Sequence, residues 1–191
     1  MTIIEVKNIT KVYGRNKVLD NLNLKIKKGE FILLVGANGS GKTTLIKGLL
    51  GLINFDSGTV RIACRKIAYV PERFHFPDFI SLEEFLKLLL DLEAIEEILT
   101  EWELLEARKK EFRELSKGMK QKTLLLQALY GKKELLIFDE PLSGIDSRSV
   151  KQFITKLKEL KTEGNTIIVS THSPKYYEQI VDRKIKLEVQ G

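Results

Sequence analysis

The stretch Gly36-Ala37-Asn38-Gly39-Ser40-Gly41-Lys42-Thr43 constrains this chain more than any other. It has the form G-x-x-x-x-G-K-[ST], lies directly behind an apolar run (residues 31–35) and leads into a helical pattern (residues 44–50). Glycines let the backbone curl into a nest whose N–H groups face an anion. The helix that follows adds its positive N-terminal end to the same anion. Such a loop fits the α- and β-phosphates of a nucleoside triphosphate, with Lys42 reaching the β- and γ-phosphates and the Thr43 hydroxyl offered to Mg²⁺. The spacing therefore predicts a nucleotide site at residues 36–44, from Gly36 through Thr43 to Thr44, set between a strand and a helix.

Composition narrows the setting. At 191 residues and 43% apolar content, the chain suits one domain with a core of its own. Its net charge of +6 comes from 32 basic residues interleaved with 26 acids, which describes a solvated mixed surface rather than a nucleic-acid face. No direct nucleic-acid partner is therefore expected. The single cysteine, Cys64, excludes internal disulfides and cysteine-based metal clusters and fits a reducing compartment. The N-terminus reads as a strand, without the layout of a signal peptide. No uncharged apolar run approaches the roughly 18 residues of a membrane span. Any membrane role must then run through a partner.

Along the chain, strands are predicted at residues 2–8, 22–26, 31–35, 58–63, 66–70, 134–138, 166–170 and 184–189. The run at 31–35 is continuously apolar, the mark of a strand buried on both faces of a parallel sheet, and 134–138 and 166–170 read as further buried strands. Helices are expected at 122–129, with Ser116 and Gly118 just before a helical start at Met119, and at 147–162. The Leu- and Glu-rich segment 79–114 reads as two or three amphipathic helices, with Phe85, Leu88, Leu89 and Leu92 at helical spacing and packing into a core. The expected architecture is an α/β core of residues 1–72 and 123–191, interrupted by a small helical subdomain at 73–122. Phe74, Phe76 and Phe79 are expected between the two parts, with a groove for a short partner helix as the functional alternative.

A second constellation accompanies the loop. In Leu135-Leu136-Ile137-Phe138-Asp139-Glu140, an apolar strand ends in two acids. Asp139 would stand at the carboxyl edge of the sheet, where ligands of open α/β sheets gather, and there hold Mg²⁺ opposite Thr43. Glu140, one residue on, is placed to polarise a water for attack on the γ-phosphate.

Taken in order, these motifs resemble the nucleotide-binding subunit of ABC (ATP-binding cassette) transporters over essentially the whole chain. The resemblance implies a P-loop NTPase fold: a mainly parallel sheet core, an N-terminal antiparallel strand layer and a small inserted helical subdomain. It implies that Tyr13 is the aromatic platform for adenine and that Leu115-Ser116-Lys117-Gly118-Met119 is the signature usually written LSGGQ. Ser143-Gly144-Ile145-Asp146 matches the loop that crosses the dimer interface, and His172, within Ser170-Thr171-His172, the switch histidine at the γ-phosphate. Ser116 and Gly118 would meet the γ-phosphate of the opposite subunit, so that two copies, or this chain and a paired cassette, sandwich two ATP molecules. Catalysis would fall to Glu140, His172, Lys42, Ser116 and Gly118, with Thr43, Asp139 and Glu72 around Mg²⁺.

Three departures accompany the resemblance. Glu72 replaces the family's usual glutamine, Lys117 and Met119 replace Gly and Gln in the signature, and only about 45 residues separate Glu72 from Ser116, so the helical subdomain is expected to be small. The substitutions at Glu72, Lys117 and Met119 resemble those of subgroups serving exporter-type permeases. The implied function is an ATP-hydrolysing subunit that energises a multi-spanning permease, peripheral at the inner face of the cell membrane. The alternative is a soluble ATPase of the same type acting in cofactor assembly or on a nucleic-acid or ribosomal partner.

Overall fold

The computed structural model describes residues 1–90 and 95–189. An antiparallel sheet is built from β1 (Thr2–Tyr13), β2 (Asn16–Lys27) and β4 (Ser57–Ile62), in the order β2-β1-β4. The second sheet is parallel, with order β5-β6-β7-β3-β8: β5 (Ile67–Val70), β6 (Leu135–Asp139), β7 (Thr166–Thr171), β3 (Phe31–Val35) and β8 (Arg183–Lys186). Helices are α1 (Lys42–Leu49), α2 (Leu82–Leu89), α3 (Ile95–Glu101), α4 (Lys117–Leu129) and α5 (Ser147–Thr162). No helix of the described residues is long and apolar enough to cross a membrane.

The parallel sheet divides the core because successive side chains of a strand point to opposite faces. Phe31, Leu33, Leu136, Phe138, Ile167 and Val169 face a cluster shared with α2, α4 and α5. Their neighbours Ile32, Leu34, Leu135, Ile137 and Ile168 face a second cluster with α1 and the antiparallel sheet. Continuous apolar runs were needed for this arrangement, and β3, β6 and β7 supply them.

Where the elements depart from the sequence pattern, local chemistry accounts for it. The first two strands extend well beyond 2–8 and 22–26, forming one long ribbon closed at Gly14, whose φ is +60°. Register shifts, with Asn8 and Asn21 at φ of 51° and 47°, break the apolar alternation that would have revealed its length. Helix α4 starts at Lys117, ahead of Met119, because Ser116 caps it by accepting the Met119 N–H at 3.2 Å. It therefore runs unbroken across position 122. Strand β8 stops at Lys186, although the Leu187 N–H still donates to the Val35 carbonyl at 2.8 Å.

Among the described residues, the segment 79–114 holds two short α-helices, followed by single 3-10 turns at Leu105–Ala107 and Phe112–Glu114. Helix α2 buries the stripe Leu82, Phe85 and Leu86. Leu88 and Leu89 are not in the core as expected: they are 74% and 48% exposed at the end of a helix too short to bring a third turn onto the stripe. Leu92 lies outside the described residues. Phe76 does pack inward, stacked on Phe112 at 4.1 Å between ring centroids and edge-on to Phe85 at 5.3 Å. Phe79, by contrast, is 75% exposed.

Candidate nucleotide site

Strand β3 delivers the glycine loop to the carboxyl edge of the parallel sheet, and α1 leaves it. Gly41 stands at the helix start with φ of +90°, and an added Cβ would lie 2.9 Å from Leu19 and 3.0 Å from Val18. Gly36 is tighter still, since its Cβ would lie 2.4 Å from the Leu187 carbonyl and from Ser40 Oγ. Lys42 is buried, and its Nζ donates to the carbonyls of Gly36 at 2.8 Å and Ala37 at 3.1 Å. Among the described residues no carboxylate pairs with it. Main-chain carbonyls alone hold this ammonium, so phosphate oxygens can take their place.

The two acids after β6 take different roles from their backbone. Asp139 is fully buried as the last residue of the strand. It accepts hydrogen bonds from Thr43 Oγ1 at 2.7 Å and from the Ser170 hydroxyl of neighbouring β7. Glu140 turns away with φ of +48°, a conformation side chains rarely adopt. Its N–H donates to the Ser170 carbonyl at 3.1 Å, which fixes the turn. The turn sends its carboxylate to His172, whose Nδ1 lies 2.9 Å from Glu140 Oε2.

These groups open onto one cleft of about 510 Å³, lined by Tyr13, Val18, residues 38–44, Glu72, Glu140, Ser143 and His172. Tyr13 enters from the tip of the ribbon, half exposed, with Lys11 Nζ 5.3 Å from its ring centroid. Glu72 arrives from the loop after β5. Gly36, Ala37 and Asp139 form the floor behind the lining. Two phenols register the negative charge gathered here. Burial pushes Tyr69 up to about 12, with the charges of Asp139 and Glu72 adding to it. Burial also drives Tyr177 far above its ordinary value, with Glu140 contributing.

Ser116 and Gly118 are not among the residues lining this cleft. They sit at the start of α4, where a Cβ on Gly118 would lie 2.9 Å from the Gly144 carbonyl. Val18 and Ser170 join the site without having been anticipated. Val18 carries no signal beyond an apolar residue in a polar stretch. Ser170 ends a buried apolar run with a hydroxyl, a pattern that did mark a polar partner at the sheet edge.

The residues present suit a magnesium ion. Thr43 and Asp139 converge as a hard, all-oxygen donor pair, and Glu72 offers a further carboxylate on the same cleft.

A glycine loop closing on a buried aspartate, with a glutamate and a histidine at its rim, defines a P-loop nucleoside triphosphatase. Residues 19–143 match the family model described as ABC transporter, and the chain belongs to that family. It is similar to YthP of Bacillus subtilis (strain 168), an uncharacterized ABC transporter ATP-binding protein. The two are 37% identical over 184 residues, covering 92% of this chain and 78% of that protein. Among solved structures, an ATP-binding subunit of an ABC transporter superimposes with a TM-score of 0.87 at 29% identity, covering 99% of this chain and 88% of that one. A dimeric ATP-binding cassette in a post-hydrolysis state, bound to ADP and Pi, gives 0.84 at 26% identity, covering 98% and 97%. The chain is thus an ATP-binding and ATP-hydrolysing subunit that energises an ABC transporter.

Proposed function

We propose that this chain carries half of each of two ATP sites and works as a paired cassette beneath a multi-spanning permease, at the inner face of the membrane. The observation that carries this reading is the separation of Ser116 and Gly118 from a cleft that otherwise holds a full set of phosphate-binding groups. A second cassette facing the cleft would bring its own Ser116, Gly118 and α4 N-terminus against the γ-phosphate.

Within that arrangement Tyr13 stacks on the adenine and the loop N–H groups hold the α- and β-phosphates. Lys42 exchanges its carbonyl partners for β- and γ-phosphate oxygens. Mg²⁺ would be held by Thr43 and Asp139, with Glu72 near it, and would offset charge on the β- and γ-phosphates. Glu140 accepts the proton of the attacking water, and His172, oriented by the same carboxylate, donates to the γ-phosphate. Loss of that phosphate removes the contact holding the partner's Ser116, and the pair reopens. The substitutions at Glu72, Lys117 and Met119 support an exporter-type permease, although direction itself is a property of the membrane subunit.

Glu140→Gln keeps the shape of the site and removes its base. It is expected to form a stable ATP- and Mg²⁺-dependent dimer by gel filtration, with hydrolysis reduced by about a hundredfold or more. A variant that bound ATP normally yet stayed monomeric would overturn the paired-cassette reading.

A further inference from the structure

The tip of the β1–β2 ribbon is held from the side by a residue outside the nucleotide cleft. The register between β1 and β4 ends where Thr10 faces Ser57, short of Tyr13. Past that point Asp56 takes over from the strand ladder. Its N–H donates to the Thr10 carbonyl at 2.9 Å, and its Oδ2 accepts the Val12 N–H at 2.6 Å. Its Oδ1 accepts a hydrogen bond from Lys11 Nζ at 3.1 Å. The bonds from Val12 and Lys11 hold the Asp56 carboxyl below the usual carboxylate range.

Lys11 faces two ways. Its side chain is only 15% exposed, and its Nζ stands over the Tyr13 ring as well as beside Asp56. An ammonium so placed is attracted to the face of the ring and resists its rotation. Asp56 is anchored in turn. The neighbouring Phe55 seats its ring on α1 at Gly48, where an added Cβ would collide with it. Helix α1 is the one that leaves the phosphate loop, so side chains tie the Tyr13 ring to the element that carries Lys42 and Thr43. Neither Lys11 nor Asp56 is among the residues lining the cleft.

We infer that Lys11 and Asp56 are positioning residues that fix the Tyr13 ring relative to the phosphate loop, so that the base and the triphosphate of one nucleotide are met at a set spacing. The inference rests on the reading of Tyr13 as the surface on which adenine stacks. Lys11 occupies one face of the ring and leaves the other to the base. A ring free to turn would have to be ordered by the nucleotide itself, at a cost in affinity. The pair acts on binding of the base and not on the reacting phosphate, so its effect falls on KM.

The test is ATP titration of steady-state hydrolysis in the full chain, with inorganic tripolyphosphate as a competing inhibitor that carries no base. Lys11→Met keeps the stem and removes the charge, and Asp56→Asn keeps an acceptor for the Val12 N–H. Each is expected to raise the KM for ATP about threefold, with kcat and the inhibition constant of tripolyphosphate little changed. Lys11→Arg keeps a cation over the ring and should restore the wild-type KM. In a Tyr13→Ala background, Lys11→Met should raise KM no further, because the ring it acts through is gone. An unchanged KM in both single variants, or an effect of Lys11→Met that persists without the ring, overturns the inference. So does a weaker inhibition by tripolyphosphate in Lys11→Met, which would put the ammonium on the phosphates instead. If Tyr13→Ala by itself leaves the KM for ATP unchanged, the adenine reading has failed and this inference falls with it.

Discussion

Asp139 and Glu140 are neighbours of nearly identical chemistry, and what separates their work is one dihedral angle. Asp139 ends the ladder in its extended form, pointing into the floor between Thr43 and Ser170. Glu140, at φ of +48°, reverses the chain and reaches the rim beside His172. The same scale decides how the base is held. Tyr13 is the only phenol or phenyl ring lining the cleft among the described residues, and it is half exposed, with one face near the Lys11 ammonium. Stacking on such a ring contributes about 1–3 kcal/mol, so Tyr13→Ala should raise the KM for ATP roughly tenfold or more while Tyr13→Trp preserves it. A purine-blind triphosphate titration checks the cause: the KM for inorganic tripolyphosphate should not move. At this scale the loop, Asp139, Glu140 and His172 were legible because each carries its chemistry in a short sequence frame. Tyr13 was named only through the family resemblance, since the bulges of its ribbon hide the strand that brings it to the cleft.

Elements were legible where burial dictates composition. Strands β3, β6 and β7 must be apolar on both faces, and no other reading of those runs fits. Single turns were not, because they depend on individual hydrogen bonds that periodicity does not register, whereas the Ser116 hydroxyl ahead of α4 was legible from its residue type. Helix α2 illustrates how little propensity decides. It is fastened by a capping box between Ser81 and Glu84, and by Glu83, which bonds Lys87 on its own helix and Lys109 just past the turn at Leu105–Ala107. Hydrogen bonds from Lys109 and Lys87 hold the Glu83 carboxyl at about 2, below its ordinary 4.5. A carboxyl depressed on folding contributes stability that is complete above its unfolded value and is lost as pH falls toward the folded one. Glu83→Gln should therefore lower the thermal midpoint at pH 7, by an amount equivalent to about 1 kcal/mol or less because both lysines are well exposed. That difference should shrink steadily below about pH 4.5 and vanish near pH 2. Parallel melts of the two proteins across this range measure it, and a constant gap would exclude the ion pairs as its source.

At the scale of the whole molecule, the nucleotide cleft and the exposed apolar surface lie on different parts of the chain joined by the loop that carries Glu72. From Glu72 the chain passes through the aromatic cluster, where Phe76, Phe85 and Phe112 pack inward as a rigid base. Phe79 and Leu88 stand above it, exposed, beside Ile80, Glu84 and Lys87 on an open hollow of about 500 Å³. Neither side chain contributes to the core, so their exposure costs the isolated chain an apolar surface without adding stability. A transporter ATPase needs such a surface, because the permease must feel the state of the γ-phosphate through some contact, and Glu72 links the two by a few residues of backbone. We expect a short cytoplasmic helix of the permease to seat on Phe79 and Leu88. Replacing both with serine should leave ATP hydrolysis by the isolated protein within about twofold of wild type, since surface substitutions away from the core are nearly neutral. The same double variant should lose co-purification with the permease from detergent extracts, and transport with it. Recovery of the variant at wild-type stoichiometry with the permease would place the docking surface elsewhere.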